Sequence, residues 1–304
     1  MKRHYEFSDH VLKADDGSPV TLVDGQTPAM TGWVRDFVDI RDMTVDSPGT
    51  KPFLVEGVKD VLQPSYVIQK LPEPRPQGSI GSCTAHAATY LLETFRAQTD
   101  DDVDPLSRLF VYKVTRSLLG WQGDTGAFLR TAMQAITMFG APPEKYNPYD
   151  VKAFEQEPSA FLYALAQNYQ ALTYYRLDGF GVDPAKTLDR IKANLILNRP
   201  CMFGIIVYSI DDKAGNFLMP RSGERPRGGH AITAVGYDDA RQIKHTDGHV
   251  SVGAVKIANW WTKSWGDKGF GYVPYEFVTR GLATDWWTMM SAEWVDLDQF
   301  NAPR

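Results

Sequence analysis

Hydrophobic positions recur with a helical period between about residue 82 and Pro200 and change to short β-branched or aromatic runs after Pro200. Repeats at i, i+3 and i+4 indicate helices, whereas short apolar runs between Gly, Asp and Asn indicate strands. The pattern predicts helices over 82–98, 106–119 (with Pro105 opening the helix), 123–140 (ending at Gly140), 159–170 and 184–197. It predicts strands at CMFGIIVY, HAITAVGYDD, VGAVKIANWW, GFGYVPYEF and TDWWTMMSAEWV. Helices followed by strands predict an α+β fold of two lobes with a groove between them.

The first 63 residues differ from the rest, being rich in Asp, Gly and Pro without helical periodicity. Within them, residues 32–42 alternate apolar and charged positions, which suits an extended segment. We expect an N-terminal arm (residues 1–63, "the arm" below) lying on a domain that spans 64–304. Residues 64–77 contain four prolines and predict an irregular entry to the first long helix.

Composition narrows the possible partners. The chain has 304 residues with a net charge of -5, which gives no electrostatic basis for nucleic-acid binding. It has two cysteines, too few for a disulfide framework. Two early basic residues are not followed by an apolar segment, and no run of about 18 apolar residues occurs, so we expect neither a secretory signal nor a membrane span. A cytoplasmic protein, or one exported without a classical signal, is expected.

The stretch QGSIGSCTAHAATYLLE (77–93) predicts a Gly/Ser-rich turn leading into a helix that Ser79 or Ser82 caps. The turn places Cys83 in the first helical turn, where the positive end of the helix dipole favours a thiolate. Since the thiolate is a nucleophile, the sequence predicts a cysteine-nucleophile enzyme that needs a histidine base and a polar group to orient it.

His230 fits the base better than the other histidines. It follows Gly228 and Gly229, which leave room for a substrate chain, and it opens the apolar strand AITAVGY. Asn259 ends another apolar strand, and its amide oxygen can accept from one imidazole nitrogen. The other histidines have other interpretations: a packed helix residue at His86, polar arm residues at His4 and His10, and a hairpin loop or a metal site at His245 and His249.

Three segments in order, QGSIGSCTAHA, GGHAITAVGYDD and NWWTKSWGDKGFGYV, resemble the papain-like (C1-type) cysteine peptidases, particularly compact bacterial-type members. The resemblance implies a papain-like two-lobe fold, with a helical left lobe over about 64–180 and an antiparallel β-sheet or barrel right lobe over about 181–304. It implies Cys83 as nucleophile, His230 as base and Asn259 as its orienter. Gln77, with the Cys83 N–H, would form the oxyanion hole, and Trp261 would cover the Asn–His bond. Gly126 would pair with extended substrate beside Gly229.

The chain also departs from the family pattern. Ile80 replaces a usual cysteine, so that disulfide is absent and Cys201 is expected to be a free buried thiol. Thr84 replaces an aromatic residue and opens space beside Cys83. Trp260 and Thr262 replace small residues and are expected to narrow one side of the groove. No metal or organic cofactor is implied.

The expected function is hydrolysis of peptide bonds in peptides or proteins through an acyl-enzyme. One alternative is another Cys/His acyl transfer, by a transglutaminase or deamidase using Asp238 or Asp239, although these two more naturally form the hairpin turn after HAITAVGY. The other is a binding module that has lost turnover. The arm is expected either to contact the groove in cis and inhibit, or to serve only as a structural strap.

Overall fold

The helix predicted to carry Cys83 forms the centre of the molecule. The computed structural model describes residues 31–47, 62–211 and 213–294, and in it this helix, α1, spans Cys83–Ala97. All of its side chains except Phe95 are buried, because α2 and α3 cover one side and the sheet covers the other. Ser82 occupies the N-cap position without a capping hydrogen bond, so the predicted side-chain cap is wrong. The Ser82 hydroxyl contacts the Tyr149 hydroxyl at 2.7 Å instead.

The remaining helices are short and largely where the pattern predicts them. α2 is capped by Ser107, whose hydroxyl accepts from the Phe110 N–H, and therefore begins after Pro105 rather than at it. α3 ends at Gly140, which has a φ of 78°. Asp183 caps α5, with Pro184 in the first turn. The helices are α2 (Arg108–Leu119), α3 (Leu129–Phe139), α4 (Ala160–Ala166), α5 (Pro184–Ile196) and α6 (Tyr275–Thr279).

Among the described residues, nine strands form one sheet, in the order β2-β9-β3-β6-β7-β8-β5-β4, with β1 also pairing with β6. All neighbours run antiparallel except β5 and β8. The strands are β1 (Ser65–Val67), β2 (Tyr169–Arg176), β3 (Cys201–Val207), β4 (Ser209–Asp211), β5 (Asn216–Leu218), β6 (Gly228–Lys244), β7 (Val250–Ala258), β8 (Phe270–Pro274) and β9 (Ala283–Trp294). The α+β expectation is confirmed, with helices mostly preceding strands.

Three local predictions are wrong. The helix expected to reach residue 170 stops at Ala166, and β2 follows it as an edge strand paired with β9. The strand expected to reach Phe277 ends at Pro274 and gives way to α6. Asp238 and Asp239 lie inside β6 rather than in a hairpin turn, because β6 continues to Lys244.

Two apolar clusters hold the elements together. One lies among α1, α2 and α3 and includes Leu91, Phe110 and Met133. The other lies between the sheet and α5 and includes Phe203 and Trp286, whose rings stack at 3.8 Å between centroids. Cys201 is buried and free, as expected. No helix in the described ranges is long and apolar enough to cross a membrane.

Residues 31–47 of the arm are largely extended and contact both halves of the molecule. Trp33 bridges in parallel to Ala127, which precedes α3, and Thr44 bridges to Arg176 in β2. Residues 1–30 and 48–61 of the arm lie outside the described part of the chain.

Candidate active site

His230 and Asn259, from neighbouring strands, are joined directly. His230 lies near the start of β6, and Asn259 follows the last residue of β7, which pairs with β6. His230 Nε2 lies 2.7 Å from Asn259 Oδ1. Because an amide oxygen only accepts, Nε2 carries the proton and Nδ1 is the basic nitrogen of the neutral ring. Nδ1 is buried and has no hydrogen-bond partner among the described residues.

The Trp residues after Asn259 have different roles. The Trp261 ring stacks on His230, with 4.9 Å between centroids and 17° between planes. The Asn259 oxygen also accepts from the Trp260 N–H at 2.7 Å. Trp260 is buried against α1 and donates its indole N–H to the Ala231 carbonyl. The expectation that Trp260 narrows the groove is therefore wrong, because its side chain points into the core.

Cys83 is the first residue of α1 and is fully buried. Burial raises the pKa of its thiol to about 12, although hydrogen bonds from the backbone of Ala231 and Thr84 act in the opposite direction. The bond with Ala231, which follows His230, shows that β6 reaches the N-terminus of α1. The expected effect of the helix dipole is thus outweighed by the loss of solvent around the sulfur.

Burial also shifts the pKa of the His230 imidazole. It lowers the pKa of His230 to about 4, and the hydrogen bond to Asn259 only partly opposes this shift. In the covered site both groups therefore favour their neutral forms, a thiol and an imidazole.

Gln77 lies on the turn before α1 and is completely buried. Its backbone N–H donates to the Trp260 carbonyl at 2.8 Å, which ties the turn to the segment after β7. Its side-chain Nε2 donates to the Ile80 carbonyl at 3.0 Å and to the Thr31 carbonyl of the arm at 3.4 Å. A carbonyl from elsewhere in the chain therefore already lies beside the amide that was predicted to bind an oxyanion.

The arm crosses the site between the two halves. The Gly229 carbonyl accepts from the N–H groups of Gly32 and Trp33, each at 3.0 Å. On the helical side, the Ala127 N–H donates to the Gly32 carbonyl and its carbonyl accepts from the Val34 N–H, each at 3.0 Å. The space expected beside Gly229 is filled, since a Cβ on Gly229 would lie 2.5 Å from the Trp33 carbonyl oxygen.

Gly126 was predicted to pair with an extended chain, but the residue that makes those backbone bonds to the arm is Ala127, which sequence reasoning missed. Gly126 has a φ of +68°, and a Cβ there would lie 2.1 Å from the Gly32 carbonyl oxygen. The absence of a side chain at Gly126 therefore lets the arm approach closely, while the neighbouring Ala127 forms the hydrogen bonds to it. The sequence indicated only that the pairing residue lies at or beside Gly126. It could not show which of these two consecutive small residues forms the backbone hydrogen bonds.

The other histidines and acids lie away from this arrangement. His86 accepts from Arg108 and donates to the Ser82 carbonyl, so both of its nitrogens are occupied within the helical half. His245 accepts from the Met219 N–H and contacts Ser251. Asp239 accepts from Lys192 and Tyr275 rather than from His230. Within the described ranges, no group of three or more His, Cys, Asp or Glu is placed to hold a metal.

Several known proteins are similar to this chain. The family model "Papain family cysteine protease" matches residues 65–285. An uncharacterized peptidase C1-like protein, L477, of Acanthamoeba polyphaga mimivirus is 29% identical over 277 residues, which cover 84% of this chain and 85% of that protein.

Solved structures are similar as well. Xylellain, a cysteine protease from Xylella fastidiosa, is 28% identical with a TM-score of 0.69, covering 86% of this chain and 96% of its own. Procathepsin B S9 from Trypanosoma congolense is 15% identical with a TM-score of 0.60, covering 86% of each chain, and supports the fold alone. The two-lobe α+β fold expected from the sequence is confirmed by these matches.

Proposed function

Because the chain belongs to the papain family of cysteine proteases and is a cysteine-type peptidase, we propose that Cys83, His230, Asn259 and Gln77 carry out its peptide-bond hydrolysis. The observation that carries this assignment is the His230–Asn259 hydrogen bond, which fixes the ring and leaves Nδ1 without a partner in the described part of the chain. A base that accepts a proton from a thiol needs a free ring nitrogen, and a third group that holds the ring makes that nitrogen available.

The reaction proceeds in two halves. His230 takes the Cys83 proton, and the sulfur attacks the carbonyl carbon of the substrate. The Gln77 amide and the Cys83 backbone N–H stabilise the oxyanion. The C–N bond then breaks as His230 gives its proton to the leaving amine, leaving a thioester on Cys83. Water, deprotonated by His230, attacks the thioester and releases the acid, and the proton returns to the sulfur.

The two buried thiols provide a matched test. Cys83→Ala should abolish turnover of fluorogenic peptides, whereas Cys201→Ala should retain it, because Cys201 is a buried thiol in β3 away from His230. Circular dichroism checks that both variants fold. An epoxide peptide inhibitor should label Cys83 alone.

Retained turnover in Cys83→Ala would contradict the assignment. Absence of labelling and of turnover in the native chain and in the arm variant below would favour a binding module, and glutamine-amide turnover without peptide cleavage would favour an acyl-transfer enzyme.

We also propose that the arm inhibits the peptidase in cis by occupying this site. Three observations support the proposal. The Thr31 carbonyl lies beside Gln77 Nε2. Gly32 packs against Gly81, and a Cβ added to Gly32 would lie 2.1 Å from the Gly81 carbonyl oxygen. Hydrogen bonds join Gly32 to Gly229 and Ala127 on opposite sides. A substrate chain needs the same backbone partners, so the arm and the substrate compete.

Trp33→Ala tests this inhibition in the full chain. Trp33 is only 6% exposed, and removing a buried Trp ring costs a few kcal/mol, which weakens the closed state. We expect kcat/KM for a small fluorogenic peptide to rise roughly tenfold or more. Phe37→Ala is the matched control, since that arm side chain is 87% exposed, and it should leave the activity unchanged. A purely structural strap would instead show lower stability without a rise in activity.

A further inference from the structure

The Trp33 side chain of the arm fills a pocket that has a specific wall and a specific floor. Gly204 in β3 and Gly229 in β6 lie along the ring, and Asp285 near the start of β9 lies at its end. These three residues define what we call the Trp33 pocket. The pocket adjoins the site because Gly229 directly precedes His230.

The wall is flat because two strand positions lack side chains. A Cβ on Gly204 would lie 2.0 Å from Trp33 Cε2, and a Cβ on Gly229 would lie 2.9 Å from Trp33 Cε3. Neither glycine has a positive φ in the range that side chains avoid, so the requirement is space and not backbone conformation. Glycine inside a strand weakens it and often marks the close approach of another group. Here that group is a planar ring.

The floor of the pocket is a buried carboxylate. Asp285 is fully buried, and its Oδ2 accepts from Trp33 Nε1 at 3.1 Å. Its Oδ1 accepts from Trp287 Nε1 at 2.7 Å and pairs with Arg176 at 3.3 Å. Among the described residues, Trp33 supplies the hydrogen bond to Oδ2.

Asp285 is also held in place by its backbone. Its φ is +62°, a region that non-glycine residues seldom adopt, and its N–H donates to Asp178 Oδ2 at 2.6 Å. Asp178 in turn accepts from Arg176. Strained backbone that the surrounding structure maintains is concentrated at functional positions. The carboxylate is therefore pre-oriented toward the pocket.

When Trp33 leaves, Oδ2 faces the emptied pocket without its donor. A buried acceptor that loses its partner is costly, and a charged acceptor more so. The side chain best suited to refill the pocket has a flat apolar ring with an N–H at its far end. We propose that the Trp33 pocket recognises tryptophan in the peptide substrate as it does in the arm, and that Asp285 distinguishes tryptophan from phenylalanine.

The recognised substrate position follows from the arm. Gly32 lies against Gly81, which is two residues before Cys83, and its N–H donates to the Gly229 carbonyl. Trp33 is the next residue along the arm. The pocket therefore takes the residue adjacent to the one whose carbonyl is attacked. This assignment rests on the proposed function of Cys83.

The test uses the full-length Trp33→Ala chain, in which the pocket is vacant. The substrates are fluorescence-quenched Ala-Xaa-Gly-Ala and Ala-Gly-Xaa-Ala peptides with Trp, Phe, Leu or Arg at Xaa, so that the two series test both neighbours of the glycine. We expect kcat/KM for Trp to exceed that for Phe by roughly tenfold, the effect of a hydrogen bond to a buried charged group. Adding Asp285→Asn should reduce this ratio to about threefold or less. A merely structural role of Asp285 would lower all four rates and leave the ratio unchanged.

A second measurement uses the arm itself. Trp33→Phe in the otherwise native chain should raise basal activity, because the ring remains while the bond to Asp285 is lost. In an Asp285→Asn chain the same substitution should have little further effect. Equal rates for Trp and Phe, a preference for Arg, or fully additive arm effects would overturn the proposal.

Binding separates this proposal from the catalytic one. If no peptide is turned over, the proposed function fails. Calorimetric titration of Ac-Thr-Gly-Trp-Val-amide and its Phe analogue into the full-length Cys83→Ala, Trp33→Ala chain then decides the pocket alone. Tighter binding of the Trp peptide by roughly tenfold supports the pocket, and equal or absent binding contradicts it.

Discussion

Cys83 and His230 are both fully buried, and burial shifts their pKa values in opposite directions. Burial raises the pKa of the Cys83 thiol to about 12 and lowers the pKa of the His230 imidazole to about 4. A thiolate and an imidazolium form only if the closed site gains solvent or a partner charge. Under the proposed function, the reactivity of Cys83 is therefore expected to depend on whether the arm is in place.

Alkylation of Cys83 should report arm opening directly. In the native chain near pH 7 we expect slow modification by iodoacetamide, because the thiol is neutral and covered. Trp33→Ala should raise the rate roughly tenfold or more, as the exposed thiol ionises more readily. Mass spectrometry of the two cysteine peptides provides an internal control, since Cys201 is also buried with a pKa of about 12. Equal labelling of Cys83 in both chains would contradict closure.

His230 should make the closed chain less stable in acid. Its pKa is lowered from 6.5 to about 4 in the folded chain, so between these values the unfolded chain binds a proton that the folded chain does not. The contribution to stability is complete above about pH 6.5 and is lost as pH falls toward 4. At pH 5 the loss is about 2 kcal/mol. Urea unfolding near pH 7.5 and 5 measures it, and His230→Gln should remove this part of the pH dependence. An identical dependence in both chains would count against the shift.

At the scale of elements, the arm is anchored to α3 by charge. Arg130 in α3 pairs with Asp36 at 2.7 Å and with Asp42 at 2.8 Å, and donates to the Phe37 carbonyl at 2.7 Å. Burial raises the pKa of Asp36, while the Arg130 charge opposes this rise. One arginine therefore holds both ends of the segment that follows Trp33.

Removing this anchor should loosen the arm without touching the site. Arg130→Met removes the ion pair of Asp36 and leaves Asp42 paired only with Arg176 at 3.6 Å. This loss applies only while the arm is docked, so the open state is favoured. We expect basal peptidase activity to rise roughly tenfold. Arg41→Ala is the matched control, because Arg41 is exposed and pairs with Asp39 inside the arm. Activity that rises equally in both variants, or in neither, would argue against this anchor.

At the scale of the whole molecule, the site is assembled from distant parts of one chain. β6 carries Gly229 and His230 and packs on α1, while the arm closes the front. Closure by a segment of the same chain benefits from an effective concentration on the order of millimolar. The proposed inhibition would therefore be a property of the single chain.

Dilution distinguishes closure in cis from closure between copies. Specific activity of the native chain should stay constant over roughly hundredfold dilution, because an intramolecular equilibrium does not depend on concentration. A synthetic peptide of residues 31–47 should inhibit the Trp33→Ala chain, and the same peptide with Trp33→Ala should not. Activity that increases on dilution would indicate that one copy closes another.

The sequence pattern correctly predicted helix ends that depend on residues close by in the chain. α5 begins at Asp183 and Pro184, and α3 ends at Gly140, because caps and glycine stops act within a few residues. β2 was missed because YQALTYYR has no strict alternation, and its strand form depends on pairing with β9 more than 100 residues away. Pairing at that distance overrides local preference.

The order and chemistry of Gln77, Cys83, His230 and Asn259 were sufficient by themselves to predict the papain-like family and its two-lobe fold, since such motifs are local and appear in a fixed order. Only the tertiary structure decided that Ala127 pairs with the arm and that Trp33 meets Asp285, 252 residues later. The same structure reversed the expected state of the Cys83 thiol, because burial is set by segments that fold over it from far along the chain.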